Sequence, residues 1–351
     1  NYLTAMIISA IVIVAYTTLG GFLAASTTDF IQSIIMSVAL IVVLIFGVET
    51  AGGIGAVIHN ASELPGYLSM TLSYDVNTGK AAPYSALTIV STAAWGLGYF
   101  GMPHILLRFM AIEDEKKLKL SRRVATIWVV ISLFVAVFIG VIGYTMSKVG
   151  ALEMLTGSNS ETIIVKISAL LSQHGVIFAL LAGVILAGIL ASTMSTSDSQ
   201  LLAASSAVSS DILGAFRKDS SNKNGSMAAA RITLLVISVV AAFIARNPDS
   251  SVFAIVSFAW AGFGAAFGPV VLFSLFWKRT NKWGALAGMV CGGSMVFIWK
   301  YLIRPLGGIW NIYELLPAFL IACATIVIVS LLTPKPSKEI EEEFDRVAQM
   351  K

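Results

Sequence analysis

The stretch WGLGYFGMP, residues 95–103, decides how the chain is interpreted, because it interrupts an apolar run that extends from 84 to 110. Three glycines and one proline stand among its nine residues. Glycine weakens a helix interior by up to ~1 kcal/mol relative to alanine, and proline by ~3 kcal/mol, so the stretch predicts a local break. In hydrocarbon, a break leaves backbone groups without partners unless they line a cavity or contact another polar group. This stretch is therefore a candidate binding site.

The composition places the chain among integral membrane proteins. Hydrophobic residues make up 57% of it and charged residues only 12%, whereas soluble domains have about 25% charged residues. The mean hydropathy is +0.86. The net charge of +4 comes from basic residues in short loops between apolar runs, which is typical of topology signals. We therefore expect a lipid bilayer as partner and no nucleic acid.

Nine apolar runs are long enough to cross the ~30 Å hydrocarbon layer, so we predict nine transmembrane helices. They lie at about 3–18, 28–48, 84–110, 124–147, 175–213, 227–246, 252–277, 284–301 and 315–332. We expect a transmembrane domain over 1–334, with an extracellular loop and short interfacial helix at 49–82, and a charged tail at 335–351.

The distribution of lysine and arginine predicts the orientation of the helices. Basic residues cluster in 113–123, 216–224, 278–282 and the tail, whereas 49–82 and 247–250 have almost none. Positive charges mark cytoplasmic loops, so the carboxyl terminus is predicted to be cytoplasmic and the amino terminus external. The chain begins with Asn1 and an apolar run that has no basic region before it. We interpret it as the carboxyl-terminal part of a longer protein; a processed terminus is the alternative.

Three residues of the opening stretch share one helical face. Trp95 and Tyr99 are four residues apart, and Pro103 follows four residues later. Aromatic faces beside freed backbone groups suit a small, compact solute with a polar end, and broken helices recur in transporter binding sites. The alternative is an aromatic stripe that packs on neighbouring helices, with a proline that only kinks the chain. The spacing by itself leaves both interpretations open.

A hydroxyl-rich stripe is predicted within residues 189–206, ILASTMSTSDSQLLAASS. Its hydroxyl side chains recur at steps of three and four, at Ser192, Ser195, Thr196 and Ser199. Such oxygens are hard ligands, suited by analogy to sodium; the alternative is that small residues only allow close helix packing. Packing does not account for Asp198, because an ionisable side chain at membrane depth marks an ion or proton path by default.

Asp29 is a third polar position, in GGFLAASTTDFIQ (20–32), at the expected cytoplasmic start of the second helix. An aspartate after two threonines is a common N-cap arrangement. A structural cap and a functional carboxylate are both open interpretations.

Four stretches resemble the sodium/solute symporter family, and most closely its bacterial sodium/proline symporters. They are GGFLAASTTDFIQ (20–32), AWGLGYFGMPHILLRFMA (94–111), LASTMSTSDSQLLAASSAVSSDI (190–212) and FAWAGFGAAFGPVVLFSLFW (258–277). The resemblance implies an all-α integral membrane fold with an inverted-repeat core of five plus five helices. The nine helices would match the fifth to thirteenth of that family, with the first helices of repeat one missing.

The resemblance also implies roles for individual residues. Trp95 and Tyr99 would contact the substrate, and Pro103 would shape the broken helix. Ser195 and Thr196 would donate hydroxyl oxygens to sodium, and Ser192 its main-chain carbonyl. The residues that fall where some relatives build a second cation site are Asp29, Asp198 and Ser199. At the position of Asp198, some members of the family have serine instead.

The implied function is sodium-coupled uptake of a small solute, most closely L-proline, by alternating access in the bacterial inner membrane. Sodium would be co-transported, and no enzymatic step is required. Two alternatives stay open: a sodium symporter for another small organic solute, and a non-transporting membrane sensor or channel built on the same core.

Overall fold

The computed structural model describes residues 2–216, 223–246 and 251–349. Contacts between residues divide the chain into two compact units, 1–68 with 74–81 and 112–250, and 69–73 with 82–111 and 251–351. In chain order the helices and strands are α1 (Tyr2–Thr50), α2 (Ile54–Ser62), β1 (Leu72–Asp75), β2 (Lys80–Pro83), α3 (Ala86–Ala93), α4 (Trp95–Gly98), α5 (Pro103–Met110), α6 (Leu118–Lys148), α7 (Ile163–Leu171), α8 (Val176–Ser206), α9 (Leu213–Phe216), α10 (Lys223–Ile244), α11 (Val252–Phe276), α12 (Lys282–Ile298), α13 (Leu315–Leu332) and α14 (Lys338–Gln349).

The first unit contains α1, α2 and α6–α10, with α1 packed along α8. Helix α1 departs from helical geometry at Gly21, whose φ of 59° suits a residue without a Cβ atom. Close approach of α1 and α8 depends on Gly188, where an added Cβ would lie 2.7 Å from the Cβ of Ala39. Val43 and Ile185, both buried, lie in the core of this unit. Close packing therefore fixes α8 on α1.

The second unit contains α3–α5 and α11–α14. Helices α11 and α13 bury Ala261, Ala265 and Phe319 between them and their neighbours. Helix α12 approaches this core through Gly292, where an added Cβ would lie 2.3 Å from the carbonyl oxygen of Ala265. Small residues thus allow these helices to pack closely, as expected of helices in a membrane.

Seven helices in the described residues are long and apolar enough to cross a membrane, compared with the nine predicted spans. Six predicted spans each match one of them. The spans at 3–18 and 28–48 both fall within α1, which consists of two helical segments joined by a kink at Gly21. The span at 84–110 is absent from this count because it consists of short helices of up to eight residues.

The segment 49–82 contains the expected short helix, α2, but also a two-stranded sheet, β1 with β2. Within the described residues, the regular structure is therefore helical apart from one small hairpin. The side chain of Asp75 accepts hydrogen bonds from the Asn77 amide at 2.9 Å and the Thr78 hydroxyl at 2.9 Å, and Gly79 adopts a positive φ of 66°. This turn chemistry, which the sequence analysis overlooked, allows the strands to pair.

The tail beyond α13 forms the amphipathic helix α14, which is tied to the α11–α12 connection by an ion pair of Lys278 and Asp345 at 2.5 Å. Parts of two loops that indicate orientation, 217–222 and 247–250, lie outside the described residues, as does Asn1. The boundary between the transmembrane domain (1–334) and the tail (335–351) remains a prediction.

Candidate functional site

The opening stretch is broken as predicted. Helix α4 ends at Gly98, residues 99–101 form a 3-10 turn, and Met102 is extended with φ −81° and ψ 112°. Helix α5 then begins with Pro103 at its first position, where the missing N–H removes no helical hydrogen bond. Local glycine and proline chemistry therefore produces the interruption.

The broken segment packs closely against α11 through glycines on both sides. An added Cβ at Gly98 would lie 1.9 Å from Nε1 of Trp260, and one at Gly264 would lie 2.7 Å from the Cα of Gly98. An added Cβ at Gly101 would lie 2.3 Å from the carbonyl oxygen of Phe263. The glycines of WAGFGAAFG (260–268) therefore allow α11 to pack closely against this segment.

Gly101→Ala is expected to destabilise this contact, because the added methyl group meets backbone atoms of α11 that cannot rotate away. Overpacking of this kind typically costs about 1–3 kcal/mol. Thermal unfolding of the purified protein in detergent measures the effect. Gly96→Ala is the matched control, since an added Cβ at Gly96 has nothing within 4 Å. Equal melting temperatures for the two variants would contradict the close-packing account.

An aromatic cluster surrounds Trp95. The half-buried ring of Trp95 stacks on Trp260 with centroids 5.4 Å apart and on Phe253 with centroids 5.6 Å apart. Nε1 of Trp260 donates a hydrogen bond to the carbonyl oxygen of Trp95 at 2.9 Å. Tyr99, which is 46% exposed, meets the same Trp260 ring edge-on at 4.8 Å. Trp95 and Tyr99 therefore share one face of the segment, as predicted.

Pro103, the third residue predicted for this site, is exposed at the start of α5. Its observed role is to begin that helix. The sequence analysis missed Phe253 and Trp260 as neighbours of this site. Their spacing of seven residues places them on one face of α11, but the spacing does not indicate which segment they contact.

The three predicted sodium ligands converge on one point of α8. The carbonyl oxygen of Ser192 accepts a hydrogen bond from the Ser195 hydroxyl at 3.1 Å and from the Thr196 hydroxyl at 3.3 Å. Thr196 is exposed and Ser195 is half-buried. One carbonyl and two hydroxyl oxygens therefore lie on the same helix turn, and oxygens of this kind are the ligands that hard cations prefer.

Ser192 also borders a cavity. This cavity is largely apolar, has a volume of about 450 Å³ and lies between α1, α6 and α8, where residues such as Leu40 and Trp128 also line it. The role of the Ser192 carbonyl oxygen as a sodium ligand remains a prediction.

A second polar cluster lies one turn further along α8. Asp198 is fully buried, and its carboxylate accepts hydrogen bonds from the Tyr16 hydroxyl at 2.8 Å and the Ser199 hydroxyl at 3.1 Å. The Ser199 hydroxyl also lies 2.9 Å from the carbonyl oxygen of Ser195, so the two clusters are adjacent. Tyr16 was missed because a tyrosine in an apolar run carries no signal of its partner.

The N-cap interpretation of Asp29 is wrong. Helix α1 is helical on both sides of Asp29, and Gly21 is its only residue with non-helical geometry. The Gly20–Gly21 pair provides the break, eight residues before Asp29, so the aspartate lies more than two turns inside the helix. It is half-buried. The role of Asp29 at a second cation site therefore remains a prediction.

The apolar helices of the described residues define a multi-pass membrane protein with a transporter-like helical core. A solved structure of the substrate-bound, outward-open state of a Na+-coupled sialic acid symporter shares this fold. The TM-score is 0.74 at 17% sequence identity, over 96% of this chain and 68% of that chain.

The model of the sodium:solute symporter family matches residues 1–292, and the chain belongs to this family. The osmoregulated proline transporter OpuE of Bacillus subtilis is 37% identical over 96% of this chain and 65% of its own length. The sodium/proline symporter of Haemophilus influenzae is 39% identical over 99% of this chain and 67% of its own length. The chain thus spans about two thirds of the length of these relatives.

Proposed function

We propose that the protein carries out sodium-coupled uptake of a small solute, with L-proline as the substrate, by alternating access. The observation that carries the proposal is the convergence of two hydroxyls, of Ser195 and Thr196, on the carbonyl oxygen of Ser192. Family membership and the names of its relatives as proline transporters support both the ion and the solute. No covalent chemistry is part of this proposal.

The solute would bind on the aromatic cluster. Trp95 and Tyr99 offer ring faces and edges to the compact apolar ring of proline, and a tyrosine hydroxyl suits its charged groups. Pro103 would shape the break that brings these side chains together. The stacked partners Phe253 and Trp260 would fix the plane of the Trp95 ring.

Sodium would bind at the oxygens of Ser192, Ser195 and Thr196. These three oxygens come from one helix turn, and further ligands would come from other parts of the protein. The inward sodium gradient supplies the driving force, together with ~2.3 kcal/mol per charge for each 100 mV of membrane potential. Coupling requires that sodium bind the conformation that is ready to accept solute more tightly than the other conformations of the transport cycle.

A second cation would bind near Asp198, Ser199 and Asp29. The buried carboxylate of Asp198 supplies negative charge, and its hydrogen-bonded neighbours Tyr16 and Ser199 orient it. A buried carboxylate beside a polar helix turn suits a monovalent cation, because isolated charge at this depth is costly.

Asp198→Asn is expected to raise the sodium concentration for half-maximal uptake several-fold, because it removes the charge but leaves an acceptor oxygen for Tyr16 or Ser199. Uptake of labelled proline over a sodium titration measures the change. Asp211→Asn, at an exposed position on the next turns of the same helical segment, is the matched control. If both variants shift the sodium dependence equally, Asp198 has no role in binding a cation.

The distribution of basic residues supports an orientation with the tail 335–351 in the cytoplasm and the loop 49–82 outside. With bacterial relatives, it supports a multi-pass protein of the inner membrane whose transmembrane domain covers 1–334. Cysteine labelling tests the orientation. Single cysteines are introduced in β2 and in α14, and a membrane-impermeant maleimide is applied to intact cells. Labelling in β2 alone is the expected result. Labelling in α14 alone would contradict the orientation.

The substrate is tested by competition in membranes that contain the intact gene product. Labelled proline uptake is measured in sodium and in potassium, with excess unlabelled proline, a sugar, sialic acid or pantothenate. The proposal predicts sodium-dependent uptake that only unlabelled proline abolishes. Sodium-dependent uptake that another solute abolishes more effectively would favour the alternative symporter, and uptake that neither saturates nor needs sodium would favour a channel.

A further inference from the structure

The connection between α12 and α13 contains a buried carboxylate that the proposed transport cycle does not use. Glu314 is 1% exposed, and Nη1 of Arg304 lies 2.8 Å from its carboxylate. Nζ of Lys300 lies 3.8 Å from the same group. Nε of Arg304 also donates to the side-chain oxygen of Asn311 at 3.0 Å. Buried charges are costly unless they are paired and hydrogen-bonded, so this network fixes the start of α13.

The residue before this carboxylate, Tyr313, is held at three points. Its hydroxyl donates to the carbonyl oxygen of Ser257 in α11 at 2.6 Å, and its amide donates to the Ser91 hydroxyl in α3 at 3.1 Å. Its ring stacks on Trp95, with centroids 6.1 Å apart and planes 15° apart. Tyr313 therefore connects the start of α13 to both α3 and α11 at the aromatic cluster.

Trp95 depends on such partners because its own helix is short. Helix α4 has only four residues, with a turn at Ala94 before it and a 3-10 turn after it. So short a helix is marginally stable by itself, so the position of Trp95 depends on its tertiary packing. Two of the stacked partners of Trp95, Phe253 and Trp260, come from α11, and Tyr313 comes from a separate element.

We propose that Tyr313, held by the Glu314–Arg304 ion pair, is a positioning residue that orients the Trp95 ring for the transported solute. The inference rests on the proposed role of Trp95 in solute binding. Tyr313 acts through Trp95 and need not touch the solute. Its loss therefore weakens solute binding without changing the sodium ligands on α8.

The test uses uptake of labelled proline in membranes containing the intact gene product, normalised to the amount of transporter. Tyr313→Leu is expected to raise the half-saturating proline concentration about two- to tenfold, the value of one aromatic pair. The maximal rate per transporter and the sodium dependence stay unchanged. Tyr313→Phe keeps the stacked ring and loses only the hydroxyl bond to Ser257, so its half-saturating proline concentration is expected to stay within about twofold of that of the unmodified protein. Glu314→Gln, which breaks the ion pair, is expected to shift it in the same direction as Tyr313→Leu.

The double variant Trp95→Ala/Tyr313→Leu separates positioning from a general structural role. If Tyr313 acts through Trp95, adding Tyr313→Leu to Trp95→Ala produces no further change. A full additional effect in that background overturns the inference, as does a Tyr313→Leu variant that changes only the maximal rate. If Trp95→Ala alone leaves the half-saturating concentration unchanged, the proposed solute site itself is wrong, which is a distinguishable outcome.

Discussion

Trp95→Ala is expected to raise the half-saturating proline concentration about thirtyfold or more while the sodium dependence stays near that of the unmodified protein. The indole ring lies at the centre of the aromatic cluster, where it stacks on both Trp260 and Phe253. Truncation of a central aromatic anchor typically costs ~2 kcal/mol or more, which corresponds to about thirtyfold in affinity. Initial rates of sodium-driven uptake over a proline titration measure it.

Two further variants control this experiment. Trp95→Phe keeps a ring that can stack. Its half-saturating proline concentration is expected to lie between those of the unmodified protein and Trp95→Ala. Trp283→Ala removes an indole of equal size that is 50% exposed near the start of α12 and has no role in the proposed site. An equal shift for Trp283→Ala and Trp95→Ala, or no shift for either, would contradict the assignment of Trp95 to solute binding.

Thr196→Ala and Ser195→Ala are each expected to raise the half-saturating sodium concentration about tenfold or more. Each removes one hydroxyl oxygen from the proposed sodium site, and contacts between polar and charged groups contribute ~1.5–3 kcal/mol. The structural effect should be small, because the Ser192 carbonyl keeps its hydrogen bond from the remaining hydroxyl. Uptake of labelled proline at fixed proline and varied sodium measures the change.

Ser197→Ala is the matched control for these two variants, because it removes the hydroxyl of the next residue on α8, which lies on a different face of the helix. It is expected to leave the sodium dependence unchanged. If all three alanine variants shift it equally, the hydroxyl stripe serves helix packing, which is the alternative that the sequence left open.

The broken helix could be predicted because its cause is local. Glycine and proline act on the helix that contains them, so WGLGYFGMP specifies its own interruption without knowledge of the rest of the chain. The oxygen cluster of Ser192, Ser195 and Thr196 was predictable for the same reason, since helical spacing alone brings these residues together.

Contacts between distant segments could not be predicted in the same way. Trp260 and Trp95 are 165 residues apart in sequence, and Tyr16 and Asp198 are 182 residues apart. No periodicity within one helix indicates which face of another helix will cover it. The hydroxyl of Tyr16 and the ring of Trp260 were therefore missed, although both contact residues that the sequence identified.

Asp29 illustrates how a local signal can mislead. The Thr-Thr-Asp sequence is typical of a helix start, yet it also fits within a helix that has already begun. Gly20 and Gly21 provide the stronger signal, because a positive φ at Gly21 is unfavourable for any residue with a Cβ atom. The helix break therefore lies at the glycine pair, and Asp29 remains available for the proposed cation site.

The accumulation of labelled proline in sealed vesicles under imposed gradients tests the central claim of sodium coupling most directly. Vesicles containing the intact gene product are diluted into media that set the sodium gradient and the membrane potential independently. The account predicts that internal proline rises above the external concentration only with an inward sodium gradient, and that a potential negative inside increases this ratio. Proline that merely equilibrates, whatever the sodium gradient, would contradict it.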